Sequence, residues 1–327
     1  MQTLNRRGFT KLLATTTAAL MLTGGIALSQ DAPLSSLELM APSSPGSGYD
    51  QLARTIQLVL QEDKLATSVE VKNAAGGGGT VGLAQFVTAK PRHPNGLVIG
   101  FALVGGVLTT KSAVTLDQVE PVARLMGEAE AIVVPANSDI KTIADLVERL
   151  KADPGKVSWA GGSVGGVDHV MVGLFAKAAG VDPTKINYVV HAGGGEVLAS
   201  TLGGHATVGV SGYEEFRSQV EAGELRALAV SGDTRMEGVD VPTLKEAGVD
   251  LAIVNWRGLM VHPKTSSKDK KALEAAIAEM VKTPAWKEAL KKRGWLDTYL
   301  PANEFKAFLA EEQTRIGGAL KEVGLVQ

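Results

Sequence analysis

Two glycine-rich turns constrain this chain more than any other feature. Pro45-Gly46-Ser47-Gly48-Tyr49-Asp50 and Gly161-Gly162-Ser163-Val164-Gly165-Gly166 each join a strand-like apolar run to a helix-like run. Glycine lets the main chain come close to a bound group, and a helix starting directly after it offers unpaired amides and the positive end of its dipole. Each turn therefore reads as an anion cradle. Two cradles in one chain imply a cleft lined from both sides.

Around these turns, strands alternate with helices. The spacing predicts a strand over 37–40, a helix over 50–61 with Leu52, Ala53, Ile56 and Leu60 on one face, a strand over 69–71, a helix over 80–89 and a buried strand over 97–103. A second series has strands over 132–135, 157–160, 186–190, 207–210 and 227–230, with helices over 143–151, 168–179, 197–202 and 213–222 between them. Such alternation gives a mostly parallel sheet flanked by helices, and its doubling gives an α/β protein of two lobes. Lobe 1 is expected to take residues 31–136 and 235–327 and lobe 2 residues 137–234, with a hinge at crossovers near 136–138 and 231–234. Helical spacing over 267–282 and 303–323, with mixed charges outward, places two more helices on the first lobe.

Residues 1–30 read as an export signal. Asn5-Arg6-Arg7-Gly8-Phe9-Thr10-Lys11 precedes an acid-free apolar stretch over 12–28, a twin-arginine pattern with cleavage near Ala27-Leu28-Ser29. The chain has no cysteine, which excludes a lipid-anchoring cysteine, a disulfide and a thiolate metal site. The expected location is the periplasm, without a lipid anchor. Without residues 1–30 the chain keeps 30 basic against 35 acidic side chains, a net charge near -5, which argues against nucleic acid as a partner.

Enzyme motifs are weaker here than the cradles. Gly161-Gly162-Ser163-Val164-Gly165 fits G-x-S-x-G between a strand and a helix, and would make Ser163 a nucleophile with His262 and a later Asp as partners. A serine hydrolase is thus an alternative reading. Gly77-Gly78-Gly79-Thr80-Val81-Gly82 fits G-x-G-x-x-G, but no Asp or Glu lies between Val71 and Leu116 to hold a ribose. Neither cradle is followed by G-K-[ST], and His93, His169, His191, His205 and His262 form no metal-binding pair. No cofactor or metal is expected. Asp50 and Asp168 each fall in a first helical turn, where a carboxylate acts as a cap.

The first cradle with Arg54, Asn73 before the glycine run ending at Gly82, and His93-Pro94-Asn95-Gly96 form an ordered series of motifs. It continues through Val119-Glu120-Pro121-Val122-Ala123, Asp153-Pro154-Gly155-Lys156-Val157, Gly161 to His169, Leu225-Arg226-Ala227-Leu228-Ala229-Val230, Val241-Pro242-Thr243-Leu244-Lys245-Glu246-Ala247-Gly248 and Asn255-Trp256-Arg257-Gly258-Leu259. Over nearly the whole chain after residue 30 this series resembles the substrate-binding proteins of tripartite tricarboxylate transporters, the TctC or Bug family. The resemblance implies a two-lobed periplasmic binding protein of type II, a monomer with a ligand cleft between the lobes. It implies capture of a small organic carboxylate and delivery to a permease with one large and one small membrane subunit. A carboxylate sensor serving a membrane receptor is the alternative within the same fold. The implied ligand residues are Gly46, Ser47, Gly48, Tyr49 and Asp50; Gly162, Ser163, Val164, Gly165, Gly166, Asp168 and His169; and His191, Ala192, Gly193 and Ser211.

The chain departs from the family pattern beside that pocket. Ala74-Ala75 stand where Arg-Pro is common, His191-Ala192-Gly193 where Tyr-Lys-Gly is common, and Ser211 where an acidic residue is common. Two fewer cations imply a ligand with one or two carboxylates, or a partly apolar acid, rather than a tricarboxylate.

Overall fold

The computed structural model describes residues 34–90 and 94–327; the export-signal reading of residues 1–30, and His93, lie outside the described residues. The chain first lays down β1 (Leu37–Ala41), α1 (Gly48–Glu62), β2 (Val69–Asn73), α2 (Thr80–Thr88), β3 (Asn95–Gly100), α3 (Phe101–Thr109) and β4 (Glu120–Gly127). It then builds β5 (Glu130–Pro135), α4 (Ile143–Ala152), β6 (Ser158–Gly161), α5 (Val167–Ala178), β7 (Asn187–Val190), α6 (Gly194–Leu202), β8 (Val208–Gly212), α7 (Tyr213–Glu221) and β9 (Leu225–Val230). A return segment adds β10 (Arg257–Val261), α8 (Ser267–Met280), α9 (Pro284–Lys292), β11 (Leu296–Pro301) and α10 (Ala302–Glu322).

Two helix-flanked sheets result, one of six strands in the order β11-β4-β10-β3-β1-β2 and one of five in the order β7-β6-β8-β5-β9. Both are parallel where β-α-β units build them: β1 with β2 and β3, and β6 with β7 and β8. At the edge of the first sheet β11 pairs antiparallel with β4, and each sheet also holds one inserted antiparallel strand, β10 between β3 and β4, and β5 between β8 and β9. These two are the strands by which the chain enters each sheet from the other. A strand arriving across the gap runs opposite to one that starts behind the sheet, so its antiparallel pairing follows from the route.

The two crossings are fastened to each other. Glu128 N–H donates to the Asn255 carbonyl at 3.1 Å, and Asn255 N–H returns a bond to the Glu128 carbonyl at 2.9 Å. Ser231, fully buried, accepts from the Glu130 N–H at 2.9 Å and donates to the Ile253 carbonyl at 2.7 Å. The expected crossover near 136–138 is displaced, because β5 is hydrogen-bonded between β8 and β9 and the change of sheet falls at Glu128 and Ala129. Residues 136–138 lie at the far end of β5, where the Arg226 guanidinium binds the Ala136 carbonyl at 2.7 Å.

Other expectations shift for physical reasons. The apolar run over 97–103 divides at Gly100, with strand before it and α3 after. Phe101, Leu103 and Val104 are buried with the strand, so no exposed face marks the change of period. Of the two tail helices, α8 packs with the first sheet, whereas α10 lies along β4 and also reaches α3 and α5. Its end is locked to α5 of the second sheet, where a Cβ on Gly173 would overlap Val323 and Lys177 pairs with Glu322 at 2.9 Å. Among the described residues no helix is long and apolar enough to cross a membrane.

Replacing Ser231 by Ala strips the Glu130 amide of its acceptor and the Ile253 carbonyl of its donor. A loss of about 1–3 kcal/mol is expected. Urea denaturation measures it, and an unchanged midpoint would show that the hydroxyl does not hold the crossings.

Candidate functional site

The carboxyl ends of β1, β2, β3 and β4 share one edge of the first sheet with the start of β10. The ends of β6, β7, β8 and β9 share the corresponding edge of the second with the start of β5. Arg257, first in β10, meets Glu128 between the sheets at 2.9 Å, with only 9% and 10% of the two side chains exposed. Crevices beyond the carboxyl ends of strands are where open α/β sheets hold ligands.

Helices beginning at these edges have N-caps that make no side-chain cap bond, although Tyr49 takes the Leu103 amide of α3 and the Ala129 carbonyl takes the Tyr213 amide of α7. The N-caps are Ser47 for α1, Gly100 for α3, Gly166 for α5, Gly193 for α6 and Gly212 for α7, and none makes a side-chain cap bond. Helices α4 and α8, which begin at the opposite edges, are capped by Thr142 and Ser266. Several uncapped N-termini in one region make a positive, donor-rich crevice suited to a carboxylate.

The first cradle is held by its own aspartate. Asp50, 2% exposed, accepts from Gly46 N–H at 2.8 Å, from Arg54 Nε at 2.9 Å and from Asn73 Nδ2 at 2.9 Å, so it shapes the turn. Ser47 Oγ bonds to Ser43 Oγ at 2.5 Å and to the Ser44 carbonyl at 2.7 Å. The buried Tyr49 hydroxyl accepts from Leu103 N–H at 2.9 Å, and burial pushes its phenol up to about 12. Gly48, in the first turn of α1, lies so close to the Arg257 guanidinium that a Cβ there would overlap it.

The second cradle repeats the device, Asp168 Oδ2 accepting from Gly162 N–H at 2.7 Å. Ser163 and Val164 stand exposed at its tip. Gly165, at φ 75°, packs against α3 of the first sheet, where a Cβ would sit 2.6 Å from Thr109 Cγ2. This contact sets the second cradle against α3, the helix whose Leu103 amide is bound by Tyr49 of the first cradle. Behind the loop the Tyr188 hydroxyl donates to the Gly162 carbonyl at 3.0 Å, and its ring stacks on His169 at 3.9 Å and 2°. Burial pushes His169 down to about 4, so it is neutral at pH 7. His191 N–H donates to the Gly161 carbonyl at 2.9 Å, its Nδ1 lies 2.9 Å from the Val189 carbonyl, and the Ala192 amide is taken by Glu196. Gly193 faces open space. The Ser211 hydroxyl donates to Glu215.

Carboxyl groups crowd the second-sheet side. Burial, then the charges of Asp168 and Glu128, push Glu130 well above the carboxylate range. Burial likewise pushes Asp168 up to about 6 and Glu215 up to about 7.

The hydrolase constellation is not assembled. Buried His262 directly follows β10 at the edge away from Arg257, its Nε2 donating to the Val87 carbonyl at 3.2 Å and its Nδ1 accepting from Lys264 N–H at 3.0 Å. Both nitrogens are occupied, so His262 cannot serve Ser163. Among the described residues only Lys64 and Lys111 are non-glycine residues at positive φ, so Ser163 lacks the strained turn of a nucleophile elbow. No group of three His, Asp or Glu among the described residues is arranged to hold a metal ion.

Comparison with known proteins agrees with this architecture. Residues 52–325 match the model of the tripartite tricarboxylate transporter family receptor, TctC. The chain belongs to this family. Protein BugT of Bordetella pertussis is 27% identical over 319 residues, covering 92% of this chain and 94% of the relative. A ligand-free TctC solute-binding protein from Polaromonas is 27% identical, with a TM-score of 0.68 over 88% of this chain and 98% of that one. An R. palustris protein solved with adipate shares the fold, with a TM-score of 0.81 at 20% identity over 90% of this chain and 99% of that one.

Within this TctC chain, sequence reasoning did not single out Arg257, Glu128, Glu130, Glu215 or Tyr188 for the site. A signal existed for Glu215: the acidic residue common at the position of Ser211 is supplied one helical turn later, where Glu215 takes the Ser211 hydroxyl.

Two outcomes follow from this geometry. Between about pH 4 and 7 the folded chain holds protons on Glu130, Asp168 and Glu215 that the unfolded chain has released, so stability falls as pH rises through that window. His169, which resists protonation when folded, opposes this below its ordinary value of 6.5 but is one group against three. The Tm of ligand-free protein is therefore expected to be higher near pH 5 than near pH 8, with Glu215→Gln flattening the decline; a flat wild-type profile would contradict the buried-acid assignment. Second, both glycines sit at positive φ, but Gly165→Ala adds a collision on Thr109 whereas Gly46→Ala meets no atom within 4 Å. Calorimetric titration should show the larger loss of ligand affinity at Gly165, and equal losses would remove the contact with α3 from the account.

Proposed function

We propose that this protein captures a small organic carboxylate in the crevice between its two sheets and delivers it to a permease of one large and one small membrane subunit. It works as a monomer in the periplasm, released there by removal of residues 1–30 and carrying no lipid anchor. The observation that carries this reading is the convergence of uncapped helix N-termini on a crevice whose buried guanidinium, Arg257, touches the first turn of α1. A carboxylate there meets backbone amides, the positive end of a helix and a charged donor together. The adipate found with the R. palustris protein supports the same ligand class.

The lobes in this reading are the two sheets with their helices, and the hinge is the pair of fastened crossings at 128–129 and 253–255, joined by Ser231. A ligand that touches both cradles binds the closed arrangement better and shifts the population toward it.

Thermal unfolding against a panel of mono-, di- and tricarboxylates, with sugars as controls, tests the proposal. A ligand present at about one hundred times its Kd adds about 2.7 kcal/mol, a rise of several degrees in Tm. The same ligand should reduce the radius of gyration in small-angle scattering. No rise with any carboxylate, after refolding to strip bound material, would overturn carboxylate capture.

A further inference from the structure

The charged groups of the crevice are unevenly divided. At the first sheet, Arg257 lies against Gly48 in the first turn of α1, an N-terminus that also lacks a side-chain cap. At the second sheet, the protein's own carboxyls already lie against the helix starts. A Cβ on Gly194, the first residue of α6, would overlap the Glu215 carboxylate, and one on Gly212, the N-cap of α7, would overlap Glu128. Asp168 occupies the Gly162 amide. Glu130 is 1% exposed, and neither of its oxygens receives an N–H or hydroxyl among the described residues. The charged groups acting on Glu215 are Glu128, Asp168 and Arg257, and Arg257 meets Glu128 through Nη1 and sets Nη2 beside Gly48 at the first cradle. A second ligand carboxylate here would meet acceptors with no free cation, and juxtaposed like charges repel.

We propose that the crevice selects a monocarboxylate whose far end carries a hydrogen-bond donor, with Arg257 and the first turn of α1 taking the carboxylate and the Ser211–Glu215 pair taking the donor. This rests on the carboxylate-capture reading and narrows its ligand class. Ser211 gives its proton to Glu215, so the pair presents acceptor oxygens toward a partly exposed position beside the open space at Gly193 and Gly195. A primary amide, a hydroxyl or an ammonium satisfies those oxygens. Glu215 is therefore the specificity-determining residue, and Arg257 the anchor.

The test is calorimetric titration near pH 8, where Glu215 is ionised, with three matched pairs: succinate and succinamate, glutarate and glutaramate, adipate and adipamate. The corresponding ω-amino acids distinguish an ammonium from an amide as the preferred donor. At the best-fitting length the donor-bearing acid is expected to bind about tenfold or more tighter than the dicarboxylate, since only the latter sets charge against charge. Glu215→Gln should shrink or reverse that ratio while circular dichroism and Tm show an intact fold, because glutamine can itself donate to a carboxylate. A merely structural role for Glu215 would weaken both members of a pair alike. A dicarboxylate that binds as tightly as its amide, or a ratio unchanged in Glu215→Gln, overturns this inference and leaves carboxylate capture standing. Failure of every acid in the series and in the wider panel overturns both.

Discussion

The contact between Arg257 and Glu128 organises the rest of the molecule. Both charges are almost fully withdrawn from water, a situation that persists only when each head group has its partner at hydrogen-bonding distance. Glu128 opens the outgoing crossing and Arg257 follows the returning one, so their pairing fixes where the two sheets meet. Their neighbours are glycines for the same reason. Gly48 and Gly212 leave no side-chain volume where the guanidinium and the carboxylate must fit. A buried ion pair adds little net stability compared with apolar packing, but it places a fixed cation at the floor of the crevice, where a solvent-exposed lysine would be screened.

Distribution of helix caps separates structural from functional ends. Thr142 and Ser266 satisfy the amides of helices that begin at the outer edges, while the inner helices begin at glycines or at Ser47, whose hydroxyl is turned back on its own loop. The forgone capping leaves the first amides of α1, α5 and α6 for something that arrives from solvent, while those of α3 and α7 are taken by Tyr49, Trp256 and Ala129. Asp50 and Asp168 make this tolerable, since each stiffens its turn from within through a single backbone amide. Rigid cradles lose little freedom when a ligand seats.

What the sequence disclosed and what it hid have physical causes. The turns at Gly46 and Gly161 were readable because glycine beside a helix start has few other uses, and α1 was readable because its apolar face recurs every three to four residues. Strand β4 and strand β10 escaped periodicity because both lie inside the six-stranded sheet, buried on both faces or nearly so, and alternation disappears there. The acidic floor escaped for a different reason. Asp168 is among the expected ligand residues, but Glu128, Glu130 and Glu215 are spread through the chain, and only the crossings bring them beside Arg257. Charge placed by topology leaves no local signature.

Strand order also sets the order in which the molecule can be made. All five strands of the second sheet come from one uninterrupted stretch, 130–230, so that layer can close as soon as it is synthesised. In the first sheet, β4 has hydrogen-bond partners only in β10 and β11, which are made last. Until the final quarter of the chain emerges, β1, β2 and β3 can pair among themselves while β4 presents two open edges, the kind of surface that recruits other chains. The half that begins the protein is therefore the half that finishes folding. An interrupted chain would be a complete second layer carrying an unpaired strand.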